Sequence, residues 1–245
     1  MSRTDQLAFI LPSAMAAIAA FLTIPLPAGY HDFADHSVVA GLHRFGDVVS
    51  NLAFLAAGLF VFARARSGAE HWLAAALCLA CAGSWYYHLR PDDLRLLADR
   101  LPIAMACAGM AAIVLFDREP RRGILYAALA SPVFMLAAGH AYWTGNQAVW
   151  VAAQAFVLLL LVIVAVTRAE MRAAAIATFG LYAASKLFEG LDHEVHHLTG
   201  SVSGHTIKHV LAALAPVAWF ALSRRPRRES WLSQCWRRFE VAPVL

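Results

Sequence analysis

Eight strongly apolar stretches run through this chain, near residues 7–26, 47–64, 71–88, 99–116, 122–141, 148–166, 172–190 and 205–222. Each comes close to the roughly 20 mostly apolar residues that a membrane-crossing helix needs. Little sequence remains between them, so no room is left for a water-soluble domain. The composition agrees: 15% of residues are charged, against about 25% in soluble domains. In hydrocarbon every backbone amide must be paired within the protein, which restricts such segments to helices or closed barrels. Stretches of this length predict helices, and the expected fold class is an all-α, polytopic membrane protein.

A net charge of +4 raises the question of nucleic acid, and the positions of the basic residues argue against it. Arg64 and Arg66 share one short loop, Arg118, Arg121 and Arg122 another, and Arg168 and Arg172 a third. Arg224, Arg225, Arg227 and Arg228 follow the last span. The alternate loops carry Asp32 and Asp35, then Asp92 and Asp93, then no charge, then Asp192 and Glu194. This is the bias expected when arginine-bearing loops stay in the cytoplasm. Both termini are therefore expected there, with the basic tail against anionic headgroups.

Cys78, Cys81, Cys107 and Cys235 do not form a disulfide framework, and no βαβ pattern accompanies them. They read as small buried hydrophobes. Residues 7–26 resemble a secretory signal, yet the run is long, and Pro25 and Pro27 follow it without a cleavage pattern. A retained first helix is expected. Pro132 lies inside an apolar span and predicts a kink or irregular turn. The Gly200–Ser201–Val202–Ser203–Gly204 breaker precedes the last helix, with Ser203 as its N-cap.

The polar residues at the span ends carry the chemistry. Ser84–Trp85–Tyr86–Tyr87–His88 closes the third span, and His205–Thr206–Ile207–Lys208–His209 opens the eighth. His205 and His209 are separated by about 6 Å along a helix and only about 40° around it, so both can face one metal ion. With the amino terminus inside, the third span runs outward, and the fourth and eighth run inward. His88, Asp99, His205 and His209 then gather at one level on the non-cytoplasmic side. Three histidines and an open position make a pattern suited to catalytic zinc. Ser84, one turn before His88, should point into the same site and donate to a developing oxyanion. Asp99 is placed to move a proton, its alternative being an ion pair with Arg95 or Arg100. His193, His196 and His197 read as loop residues, His43, His71 and His140 carry no supporting pattern, and Trp85, Tyr86, Tyr87 and Trp143 read as an interfacial aromatic belt.

These residues resemble the alkaline ceramidases, part of a wider group of seven-helix membrane hydrolases that includes the adiponectin and progestin receptors. The resemblance rests on the Ser84-to-His88 spacing, Asp99 eleven residues later, Asp47–Val–Val–Ser50–Asn51–Leu, and Gly204–His205–Thr–Ile–Lys208–His209. It covers roughly residues 31–222 and implies a seven-helix core there. Residues 1–30 would be an additional amino-terminal transmembrane helix, and 223–245 a basic cytoplasmic tail. It further implies zinc held by His88, His205 and His209, with Ser84 and Asp99 completing the catalytic shell. The reaction implied is hydrolysis of the amide of ceramide to a sphingoid base and a fatty acid. Eukaryotic members carry an acidic, calcium-binding segment with a Trp before the first core helix. Here that stretch reads Asp32–Phe33–Ala34–Asp35–His36, and Arg44 stands near the position of a further acid, so a calcium ion would lack part of its ligand set.

The expectation is a zinc-dependent lipid amidohydrolase, ceramidase-like, in a bacterial inner membrane, with a lipid amide and membrane lipids as partners and no nucleic acid. Two other classes fit the same residues less well. A metal-containing seven-helix receptor or sensor would signal through its tail, which is short and lacks a docking motif. A proton-coupled transporter would show inverted repeats, and none is apparent.

Overall fold

The computed structural model describes residue 4 and residues 6–223. The basic tail from Arg224 onward, with Cys235, lies outside the described residues. A π turn, Gln6–Ile10, leads into α1, Leu11–Ala19. A two-stranded hairpin follows, β1 Val38–Val39 and β2 Leu42–His43. Then come α2 Phe45–Ser50, α3 Leu52–Arg64, α4 Gly68–Leu89 and α5 Asp93–Leu115. The remaining helices are α6 Pro120–Thr144, α7 Ala148–Thr167, α8 Arg172–Gly190, α9 Asp192–Thr199 and α10 Gly204–Leu222.

Among the described residues, five segments are long and apolar enough to cross a membrane: α2 with α3, α5, α6, α7 and α10. Helices α4 and α8, of 22 and 19 residues, are equally long but carry more polar side chains. Each helix from α3 to α8 packs on the next, and α10 closes the ring between α8 and α3. The outer faces stay apolar, as a lipid environment requires: Leu125, Leu129, Val133 and Leu136 form an exposed stripe along α6. Helix starts follow local chemistry. Ser67 and Glu70 form a capping box on α4, and the Asp92 carboxylate accepts from the Arg95 amide at 2.8 Å. Ser203 caps α10 as expected, accepting from the Thr206 amide at 2.9 Å. Pro132 breaks nothing, for α6 continues through it.

The amino-terminal segment departs from a single membrane-length helix over 7–26. Helix α1 is only nine residues long and packs outside the ring on α7. Beyond it the chain is largely extended and pairs with the α6–α7 corner. Asn146 donates to the Leu22 carbonyl at 2.8 Å and accepts from the Ile24 amide at 3.0 Å, while the Gln147 amide donates to Ile24 at 2.7 Å. Pro25 and Pro27 favour extended backbone and forbid continuation of the helix. His193, His196 and His197 lie not in a loop but on the short helix α9, which Gly200 ends at φ +69°. Cys78, Cys81 and Cys107 are free thiols.

Two glycines set the spacing on which the interior depends. A Cβ at Gly83 would stand 2.7 Å from the Ala98 carbonyl, so only glycine lets α4 and α5 approach this closely beside Ser84 and Asp99. At Gly204 a Cβ would collide with the Phe188 carbonyl and stand 2.8 Å from the Asp192 Cα, immediately before His205. Close backbone approach at small residues is a common device for packing helices in lipid. Gly180, by contrast, has open space around it. Gly83→Ala and Gly204→Ala should each lower stability by about 1–3 kcal/mol, read as a drop in unfolding temperature in detergent. Gly180→Ala should leave it unchanged or raise it.

Candidate metal centre

The closed ring brings the end of α4 against the start of α10. His88, 1% exposed, meets His205 and His209, 4% and 2% exposed. Their ring centroids lie 4.8–4.9 Å apart in all three pairings. One ligating atom from each lies within 4.8 Å of the others, and this is the group of His, Cys, Asp or Glu found placed to share a metal ion among the described residues. These three buried histidines can bind a metal ion.

The donor set fits such an ion on its own chemistry. Ser50 Oγ lies 3.0 Å from the Asp47 carbonyl and 2.8 Å from His209 Nδ1. With the hydroxyl proton directed to the carbonyl, Nδ1–H donates to Oγ and Nε2 keeps its lone pair for a metal, the role of a supporting hydrogen bond at metal sites. His88 Nδ1 is buried with no partner among the described residues. The Lys208 ammonium lies 3.2 Å from His205 Nε2. A metal held through that nitrogen would displace the contact, and Glu189, 2.7 Å from the same ammonium, would retain the lysine.

A second layer positions the ligands. Asp192 accepts from the His205 backbone amide at 2.7 Å through one oxygen and from the Ala34 amide at 2.9 Å through the other. One carboxylate thus joins the start of α10 to the loop before α2. That loop folds inward, placing Phe33 against His88 and His205 with ring centroids 4.7 and 4.5 Å away. Asp35 anchors it, accepting from the Ser37 and Asp47 amides at 2.9 and 3.0 Å. Burial opposes ionisation of Asp35, but these bonds and those of the Ser37 side chain and Gly46 amide hold its carboxyl below its ordinary value. Its contribution to the loop is present above the ordinary carboxylate range and lost as pH falls below it. Both oxygens of Asp35 are thus engaged by backbone, in the acidic segment the resemblance associates with calcium. Asp47 is fully buried and accepts from the Ser203 and Thr206 hydroxyls at 2.7 Å each.

Ser84 and Asp99 line a cavity that also reaches His209. Asp99 Oδ1 is buried with no partner among the described residues. Among the described residues Asp99 forms no ion pair: Arg95 pairs with Asp92, and Arg100 donates to Gln147 at 2.7 Å. Tyr87 does not belong to an aromatic belt. It is 2% exposed and bonds His31 at 2.8 Å, whereas Trp85, Tyr86 and Trp143 are exposed.

The cavity encloses about 1200 Å³, including its mouth. Its charged lining comes from one end of the ring, with Asp99, Arg100, Lys186, Glu189 and Lys208 beside Ser84 and His209, while Gln154, Thr178 and Tyr182 add neutral polar groups along its length. Toward the other end it is walled by Leu73, Leu77, Met110, Leu158 and Leu161. Lys186 and Lys208 flank Glu189 at 2.8 and 2.7 Å. Sequence reading had passed over Phe33, Asp192, Lys186 and Glu189 as site residues. Ser50 stood in a quoted motif without a role.

No protein-family model matches this sequence, and no curated protein matches it either. The tautomer argument for His209 is directly testable. Loss of a supporting bond at a metal ligand typically weakens binding about 10–100-fold. Ser50→Ala should therefore weaken zinc binding by that factor in a chelator competition, while His209→Ala should abolish stoichiometric zinc. Wild-type affinity in Ser50→Ala would contradict the assignment.

Proposed function

We propose that this chain is a zinc-dependent intramembrane amidohydrolase acting on a lipid amide, in the manner of the seven-helix ceramidases it resembles. In this reading the ring from α3 to α8 and α10 is the seven-helix core and α1 lies outside it. The chain is multi-pass, with the polar end of the cavity toward the non-cytoplasmic side and both termini in the cytoplasm. The observation that carries the reading is a cavity with Ser84, Asp99 and His209 at one end and mostly apolar walls along the rest.

His88, His205 and His209 would hold the zinc. When bound, zinc supplies Lewis acidity and lowers the pKa of a water toward about 7, giving a nucleophile at neutral pH. The side chains of this chain do the remaining work. Leu73, Leu77, Met110, Leu158 and Leu161 hold an acyl chain by its apolar surface, leaving the amide carbonyl beside Ser84. The Ser84 hydroxyl donates to the carbonyl oxygen as negative charge builds there. Asp99, with its unpartnered Oδ1, takes a proton from the attacking water and delivers it to the leaving nitrogen. Phe33 covers the histidines and excludes bulk water from that end.

This division of labour separates metal binding from turnover. Removing one oxyanion donor typically costs about 10²–10³ in rate. Ser84→Ala and Asp99→Asn should keep one zinc per chain by elemental analysis while losing most hydrolysis of an amide-lipid mixture, followed by mass spectrometry. Wild-type turnover in Asp99→Asn would remove Asp99 from the chemistry. Lipid retained without cleavage by the zinc-loaded wild-type protein would favour the receptor reading.

A further inference from the structure

The cavity holds a cation that the proposed hydrolysis does not use. Arg100 lines it beside Asp99 and is 7% exposed, too deeply enclosed to reach water at the membrane surface as such side chains usually do. Its partner is the neutral side chain of Gln147, whose Oε1 accepts from Nη1 at 2.7 Å. Gln147 is itself held, donating through Nε2 to the Gly145 carbonyl at 3.1 Å. The guanidinium lies 5.9 Å from the ring centre of Tyr30 and 5.7 Å from that of Trp150, both of them cavity residues. No carboxylate pairs with it among the described residues. The adjacent Asp99 makes no ion pair with it within 4 Å, and Glu189 is taken by Lys186 and Lys208.

The cavity lining therefore carries three cations, Arg100, Lys186 and Lys208, against two carboxylates, Asp99 and Glu189. Any divalent metal on the histidines would add to that excess. A buried, uncompensated charge is strongly unfavourable, and an ionisable side chain kept inside a membrane protein usually marks a ligand or substrate path. Four of the five guanidinium donors remain available for a ligand, in the planar fork that matches carboxylate and phosphate oxygens. The aromatic faces of Tyr30 and Trp150 support the cation while leaving its N–H edge free.

We infer that Arg100 binds an anionic group carried on the amine half of the substrate, so that the preferred lipid amide is acidic, with a carboxylate or phosphate near the amide nitrogen, and not a neutral one. This names the substrate class of the proposed hydrolase and rests on that reading. The anion could instead be the carboxylate of the released fatty acid, and the experiment separates the two.

Binding of N-oleoylglycine, N-oleoylethanolamine phosphate, neutral N-oleoylethanolamine and oleate to the zinc-loaded protein in nanodiscs should be measured, with turnover followed in parallel. A charge-assisted bond predicts that both acidic amides bind about tenfold or more tightly than the neutral one. Arg100→Gln should bring that ratio close to one, and Arg100→Lys should keep its sign with a smaller size. Equal affinity of acidic and neutral amides for the wild-type protein overturns the proposal, whether or not the variants fold. So does a preference that survives Arg100→Gln, or an Arg100 dependence seen with oleate alone. If acidic amides bind through Arg100 but are never cleaved, the anion site stands and the hydrolase reading falls.

Discussion

Three imidazoles packed ring against ring inside a helical membrane protein are tolerable only if their nitrogen lone pairs are used. Water cannot be counted on to satisfy them at that depth, and much of the surrounding structure serves to place them. Gly204 lets α10 start against α8 and α9, and Asp192 grips the first turn of α10 at the His205 amide. Ser50 reaches across from α2 to hydrogen-bond His209 Nδ1. Gly83 lets α4 and α5 meet, so that the helix carrying His88 also presents Ser84 to the cavity that Asp99 lines. Take away the need to assemble these nitrogens, and the close approaches and cross-helix bonds lose their common purpose.

The same placement divides the interior by polarity. Helices α4 and α8 end, and α5 and α10 begin, at the site, so their charged residues collect at one end of the cavity. The lengths of the same helices supply apolar wall. A long-chain molecule entering such a space is oriented before any specific contact is made, tail among the leucines and polar end beside the histidines. The loop bearing Phe33 covers the polar end and is tied down by Asp35 and Asp192. Entry to the histidines from that side therefore requires these hydrogen bonds to be broken.

Much of this was legible in the sequence, for identifiable reasons. Membrane helices declare themselves by length and apolarity, so the seven stretches from 47–64 to 205–222 fall on observed helices within a few residues. The four-residue spacing of His205 and His209 survives any detail of packing, and the alternation of basic loops brought His88 to the same level. Where the chain does not repeat helically, the reading failed. The run at 7–26 has the right composition, but two prolines and a side-chain clasp at Asn146 turn its second half into extended chain. Phe33 and Asp192 act through contacts between segments far apart in sequence, which no local pattern reveals. Arg100 looked like a possible partner for its neighbour Asp99, and only the packed structure shows its guanidinium turned to Gln147.

The central claim is that His88, His205 and His209 form one metal centre. Zinc X-ray absorption on the purified, zinc-loaded protein addresses it without reference to any substrate. Three histidine ligands and one oxygen predict nitrogen neighbours at about 2.0–2.1 Å with imidazole outer-shell scattering, and no sulfur at about 2.3 Å. In His88→Ala the bound zinc should fall, and any zinc that remains should show fewer imidazole neighbours. A spectrum showing sulfur ligation, or one unchanged by His88→Ala, would contradict the account.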